Sequence, residues 1–125
     1  MATRPILGFT FVFLVLVCSN ANAICNFAAT CIYQNLSFTL FSASCADVSG
    51  HDRFSALQLN FKIGNVNGNL VCPGANFAAS CSNIFLSGGH TLLANCKNSN
   101  GALIQTSLDL NNCIQNINGE LYFCV

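Results

Sequence analysis

Ile63-Gly64-Asn65-Val66-Asn67-Gly68-Asn69-Leu70 returns later in the chain as Ile114-Gln115-Asn116-Ile117-Asn118-Gly119-Glu120-Leu121. Each copy carries Asn-Gly flanked by alternating apolar residues. Alternation at period two marks a strand with one buried face. Asn and Gly both tolerate the positive φ that the two central residues of a type I′ turn require. Each copy therefore reads as a β-hairpin with a two-residue turn.

The repetition extends outward from these hairpins. Leu57-Gln58-Leu59-Asn60 returns as Leu108-Asp109-Leu110-Asn111, and Asn26-Phe27-Ala28-Ala29-Thr30-Cys31 returns as Asn76-Phe77-Ala78-Ala79-Ser80-Cys81. The offset grows by one residue along the chain, which places an insertion between Cys81 and Cys96. Two copies are too few for a solenoid, which takes three or more, but they suit a pseudo-twofold domain. Repeat one runs from about residue 24 to 73 and repeat two from about 74 to 125. Ser37-Phe38-Thr39-Leu40-Phe41-Ser42 alternates roughly at the β period and reads as a strand. Phe-Ala-Ala-(Thr/Ser)-Cys is poor strand chemistry and reads as one helical turn. The expected class is all-β, with Phe and aliphatic residues at matching places in both copies forming a small core.

Arg4 is the only charge before Asp47, and an apolar run follows from Ile6 to Cys18. That run is shorter than the roughly twenty residues needed to span a bilayer. Ala21-Asn22-Ala23 then has the small-x-small form of a signal-peptidase site. Residues 1–23 read as a secretory signal peptide, and residues 24–125 as an exported, extracellular chain.

Of 125 residues, 53% are hydrophobic and 6% charged, which excludes charge-driven disorder. Beyond the leader, Arg53, Lys62 and Lys97 face Asp47, Asp52, Asp109 and Glu120. A nucleic-acid reader working through phosphate contacts needs a basic footprint that this balance lacks. No second apolar run reaches membrane length, so neither nucleic acid nor membrane is an expected partner.

Cys18 lies in the leader and eight of the nine cysteines remain. An even number in a short exported chain argues for disulfides. Zinc fits less well, because no Cys-x-x-Cys pair occurs and His51 and His90 lack ligand spacing. Cys31 with Cys45 and Cys81 with Cys96 enclose matching loops and pair within their copies. Closing loops of this length stabilises by roughly 3 kcal/mol each on the chain-entropy model. Cys25, Cys72, Cys113 and Cys124 break the repeat. Position 123 corresponds to Cys72, after which copy one runs into copy two through Pro73-Gly74-Ala75. Spatial symmetry would bring the chain end beside the chain start in the same way. The expected pairs are Cys25–Cys124 and, by remainder, Cys72–Cys113.

These motifs resemble the cyanovirin-N lectin family. The doubled elements are Phe-x-x-(Thr/Ser)-Cys, a second Cys 14 or 15 residues later, Leu-x-Leu, and Ile-x-Asn-(Val/Ile)-Asn-Gly-x-Leu, and they cover essentially all of Cys25 to Phe123. The resemblance implies two pseudosymmetric lobes, each a three-stranded sheet plus a β-hairpin, with strands exchanged between the repeats. It also implies binding of terminal α1,2-linked mannose on high-mannose glycans and glycoproteins, without cofactor, metal or catalysis. Carried over by motif, one carbohydrate site uses Asn26, Ala29 and Thr30, the loop Ala46-Asp47-Val48, and Asn116, Asn118 and Gly119. The other uses Asn65, Asn67 and Gly68, then Asn76, Ala79 and Ser80, then Asn98, Ser99 and Gly101.

Departures from the family pattern bear on the strength of binding. Ala29, Ala46, Gly64 and Ala79 stand where members place Glu, Gln or Lys, and Asn67 and Asn118 replace hairpin acids. Charge-assisted hydrogen bonds are roughly twice as strong as neutral ones, so these changes are expected to weaken binding. Asn retains a donor and an acceptor and still bridges adjacent hydroxyls. The second site keeps more polar side chains in its loop and is expected to bind better. Family members also exchange strands between chains to form dimers. Pro73 stands one position before the usual hinge, and crosslinks across the repeats would oppose exchange, so a monomer is expected.

Plainer roles compete for the same residues. A turn alone accounts for Asn67 and Asn118, helix capping for Asn26 and Asn76, and solvation for Asn98 and Ser99. Asp47 has no paired acid, and no nucleophile can be tied to either histidine, so an enzyme is not expected. Asn35-Leu36-Ser37 is a glycosylation sequon. A carbohydrate-binding lectin and a disulfide-stabilised scaffold or defence protein with decayed sugar sites remain the two readings.

Overall fold

Asn67 and Asn118 both adopt φ 52°, and the glycines after them both adopt φ 89°. The two Asn-Gly pairs thus form turns with positive φ at both central residues, as type I′ requires. The computed structural model describes residues 25–125. The proposed leader, residues 1–23, lies outside the described residues.

Strands β1 (Cys31–Ser37), β2 (Leu40–Ala46) and β3 (Asp52–Gln58) form one antiparallel sheet in that order. Strands β4 (Gly64–Val66) and β5 (Asn69–Val71) form the first hairpin. The second repeat copies this plan with a sheet of β6 (Cys81–Ser87), β7 (Thr91–Lys97) and β8 (Leu103–Asp109). Its hairpin is β9 (Ile114–Ile117) with β10 (Glu120–Phe123). Single 3-10 turns at Phe27–Ala29, Leu59–Phe61, Phe77–Ala79 and Leu110–Asn112 join the parts. The class is all-β in two repeated halves.

One strand boundary departs from the sequence reading. Ser37 to Ser42 is not continuous strand: Phe38 and Thr39 form the turn between β1 and β2, with Ser37 opposite Leu40. Phe38 adopts φ 55°, a conformation that usually takes Gly. A two-residue turn preserves the polar–apolar parity of its flanks, so the alternation ran through it unbroken. Asn35 of the sequon lies inside β1, and it is exposed. The extra residue of repeat two falls at the equivalent turn, Gly88-Gly89-His90.

The core is built from pairs of equivalent residues. Phe27 and Phe77, Leu59 and Leu110, and Ile63 and Ile114 are all fully buried. Phe41 and Leu92 occupy matching places on the central strands, and both are buried as well. Phe27 meets Phe41 edge to face at 5.2 Å between ring centroids, a geometry that aromatic rings favour.

Each hairpin lies against the sheet of the other repeat. Leu70 of β5 donates its N–H to Thr106 Oγ1 of β8 at 3.1 Å, and Leu121 of β10 donates to Ser55 Oγ of β3 at 2.9 Å. One lobe therefore joins β1–β3 to β9–β10, and the other joins β6–β8 to β4–β5. The chain crosses between repeats where Gly74 and Gly64 approach closely: a Cβ on Gly74 would stand 2.5 Å from the Gly64 nitrogen. Disulfides join Cys31 to Cys45 and Cys81 to Cys96 within the sheets. Two more join Cys25 to Cys124 and Cys72 to Cys113 across the repeats.

Candidate functional site

The exposed end of each lobe is assembled from three segments that are distant in sequence. A hairpin tip, the residue after a 3-10 turn, and the loop after a central strand converge there. In the β6–β8 lobe, Asn65 Nδ2 donates to Ser80 Oγ at 2.8 Å and to the Lys97 carbonyl at 2.9 Å. Asn65 Oδ1 accepts from Gly68 N at 2.8 Å. In the β1–β3 lobe, Asn116 Nδ2 donates to Thr30 Oγ1 and the Ala46 carbonyl, both at 2.9 Å, and Asn116 Oδ1 accepts from Gly119 N at 2.8 Å. These two amides clamp their hairpins onto the opposite sheets. All their strong hydrogen-bonding directions but one are spent on protein, so they shape the site rather than present themselves to a ligand.

The hairpin-tip asparagines are placed differently. Asn67 Oδ1 accepts from Ser99 N, and Asn118 Oδ1 accepts from Val48 N, each at 2.9 Å. Each oxygen ties a tip to the neighbouring loop. Both residues are exposed, and among the described residues their amide nitrogens have no recorded protein partner. The turn role and an amide donor not bonded to protein thus coexist in one exposed residue.

The loops are built alike. Asp47 Oδ1 accepts from Ser49 N and His51 N at 2.9 and 3.0 Å, and Asn98 Oδ1 accepts from Asn100 N and Ala102 N at the same distances. This is the turn chemistry for which Asp and Asn are favoured. The difference is electrostatic. Asp47 Oδ2 takes a 2.9 Å ion pair from Arg53 Nε, and only 8% of the Asp47 side chain is exposed. The hydrogen bond from Arg53, joined by the backbone donors, holds the Asp47 carboxyl below its ordinary pKa. Ile104 occupies the position of Arg53 in the other lobe and packs beside Gly68, as Arg53 packs beside Gly119.

Asn26 and Asn76 do not cap by side chain. Both adopt left-handed backbone conformations, φ 55° and 59°, with no side-chain capping bond. Asn is favoured there because it tolerates positive φ. Gln58 and Asp109 are the residues that cap, accepting from Asn60 N and Asn111 N. Asn76 and Asn26 are exposed, as are Ala79 and Ala29, the residues just before the clamped Ser80 and Thr30. Gly101 is an exposed turn residue at φ 81°.

Two residues of the arrangement escaped the sequence reading as contacts. Asn60 Oδ1 accepts from Ala78 N at 3.1 Å, and Asn111 Oδ1 accepts from Ala28 N at 3.0 Å. They fasten each 3-10 turn to the other repeat. Their signal was the doubled Leu-x-Leu-Asn. Arg53 is unrepeated and carried no such signal. His90 Nδ1 lies 3.0 Å from Asp109 Oδ1, an oxygen already engaged as a cap. Among the described residues no group of three His, Cys, Asp or Glu side chains is placed to hold a metal ion.

Comparison with known proteins places this geometry. A family model described as the CVNH domain matches residues 27–122. The solved CVNH of T. borchii is 32% identical, with a TM-score of 0.70, over 78% of this chain and 98% of that one. The CVNH of Gibberella zeae is 28% identical, with a TM-score of 0.75, over 82% of this chain and 100% of its own. Microvirin, solved as a complex with mannobiose, is 28% identical, with a TM-score of 0.68, over 78% of this chain and 97% of its own.

Proposed function

The chain belongs to the CVNH-domain family, and from that premise we propose that it is a non-catalytic lectin for high-mannose glycans, binding terminal α1,2-linked mannose. The observation that carries this reading is the doubled end of the molecule. In each lobe an exposed Asn tip is held against the neighbouring loop through its amide oxygen, and among the described residues its amide nitrogen is not bonded to protein. Neighbouring sugar hydroxyls need such alternating donors and acceptors at fixed spacing. Two sites on one rigid body gain avidity on branched glycans.

The β6–β8 lobe is the stronger site. Its loop offers Asn98 and Ser99, whereas the other offers Asp47, already engaged by Arg53, and the exposed apolar Val48. The protein acts outside the cell after loss of residues 1–23, as a monomer whose cross-repeat disulfides resist strand exchange between chains. Light scattering at high concentration tests the monomer.

The spending of Asn65 and Asn116 on the fold favours a second reading, a disulfide-stabilised scaffold with decayed sugar sites. A glycan array separates the two. Selective retention on high-mannose glycans supports the lectin, and a folded protein that binds no glycan supports the scaffold.

A further inference from the structure

The outer face of the β6–β8 sheet carries a cavity of about 520 Å³, lined by Asn83, Ile84, Phe85, Ala94, Asn95 and Gln105 and by none of the hairpin-tip or loop residues of the lobe ends. It sits where the β6–β7 ladder breaks. The register shifts between Ser82 and Phe85, and Asn83 adopts φ 49° within the break. Such bulges redirect side chains and occur beside functional sites. Asn95 stands directly opposite Gln105 across β7 and β8. Phe85 is half exposed.

We infer that this cavity is a third carbohydrate subsite, which takes a neutral pyranose stacked on Phe85. The lining chemistry selects the ligand. No charged side chain lines the cavity, so it gives no counter-charge to an anionic or cationic ligand. Asn83, Asn95 and Gln105 supply three amides. Among the described residues none of the three has a recorded side-chain hydrogen bond, so donors and acceptors remain for hydroxyls. Phe85 supplies an apolar plane. A pyranose ring combines one C–H face with a rim of hydroxyls, matching an aromatic plane edged by amides. The volume lies within the range of small-molecule sites.

The fold does not require this set. At equivalent positions of repeat one, Asn35 replaces Phe85, Ser44 replaces Asn95 and Phe54 replaces Gln105. Phe85 also borders an adjoining cleft of about 360 Å³ between β1 and β6, where Asn35 adds a further amide and Gln34 its amide oxygen, the Gln34 nitrogen being bonded to the Cys31 carbonyl at 3.0 Å. A second sugar residue extends into that cleft. The inference stands on this geometry and does not rest on the lobe-end sites.

Residue-resolved NMR of oxidised residues 24–125 tests it, with Asn35 unglycosylated and α1,2-mannobiose and an N-acetylglucosamine oligomer as separate probes. The expected result is saturable shifts at Asn83, Phe85, Asn95 and Gln105 with at least one probe. Phe85→Ala weakens that Kd by about five- to ten-fold, the scale of one aromatic contact, and leaves shifts at Asn67 and Asn118 unchanged. Gln105→Ala, at an exposed residue, gives a second loss without touching the core. Shifts confined to the hairpin tips overturn the third site and leave the lobe-end lectin intact. Shifts confined to the outer face support the third site and count against the lobe ends. Shifts at neither place, or outer-face shifts that survive both substitutions, overturn it.

Discussion

Arg53 Nε lies 2.9 Å from Asp47 Oδ2, whereas the equivalent pair in the other lobe is Ile104 and Asn98. One loop of an otherwise doubled structure is therefore held by charge and its counterpart by neutral amide bonds. Asp47 also accepts from Ser49 N and His51 N, as neutral Asn98 accepts from Asn100 N and Ala102 N, so what ionisation adds to its turn is the Arg53 pair.

The first prediction concerns pH. The Asp47 carboxyl is held below its ordinary pKa, chiefly by Arg53. A depressed folded-state value contributes order that is present above the unfolded-state value and lost as pH falls through the folded one. Acid below the usual carboxylate range will loosen residues 47–51 and their contact with Asn118, while residues 98–102 stay ordered. Amide exchange at Ser49, His51, Asn100 and Ala102 across an acid titration reads this directly. Equal loosening of both loops would contradict it.

The second prediction concerns the clamps. Asn65→Ala removes three hydrogen bonds made at 2.8–2.9 Å and strands the Gly68 N–H. Leaving a partly buried partner unmet costs about 1–3 kcal/mol. A domain of this size loses about 4–8 °C in Tm per kcal/mol. Asn116→Ala is expected to cost a similar amount, because its three bonds are the same. A calorimetric scan that finds either substitution neutral would show that these amides do not hold the hairpins.

The third prediction concerns the chain ends. The Cys25–Cys124 disulfide spans 99 residues in sequence. Replacing both cysteines by Ser releases the ends and costs up to about 4.7 kcal/mol on the chain-entropy model. The fold itself is retained, because both sheets keep their internal crosslinks. Denaturant unfolding measures the loss, and peptide mapping of the parent chain checks the pairing.

What the sequence revealed followed the range of the interactions. The Asn67-Gly68 and Asn118-Gly119 turns were legible because positive φ is a local demand that Asn-Gly meets. The core was legible because Phe27 and Phe77, or Ile63 and Ile114, recur at fixed positions. The turn at Phe38 was not, because Phe gives no turn signal and a two-residue turn keeps parity. Doubling marked Asn65 and Asn116 as significant without saying for what. Their partners, Ser80, Lys97, Thr30 and Ala46, come from the opposite repeat, and only the packed lobes show that the amides serve the fold. Capping was one reading open for Asn26 and Asn76, because the same residue type suits capping and left-handed backbone; their side chains make no capping bond.

The most direct test is an NMR titration of oxidised residues 24–125 with α1,2-linked mannobiose. The account predicts saturable shifts at Asn67, Asn76, Asn98 and Ser99 at lower sugar concentration than those at Asn26, Val48 and Asn118. A well-dispersed spectrum in which neither lobe end moves would contradict the mannose-lectin reading, and saturation of the Asn118 end first would reverse the ranking of the sites.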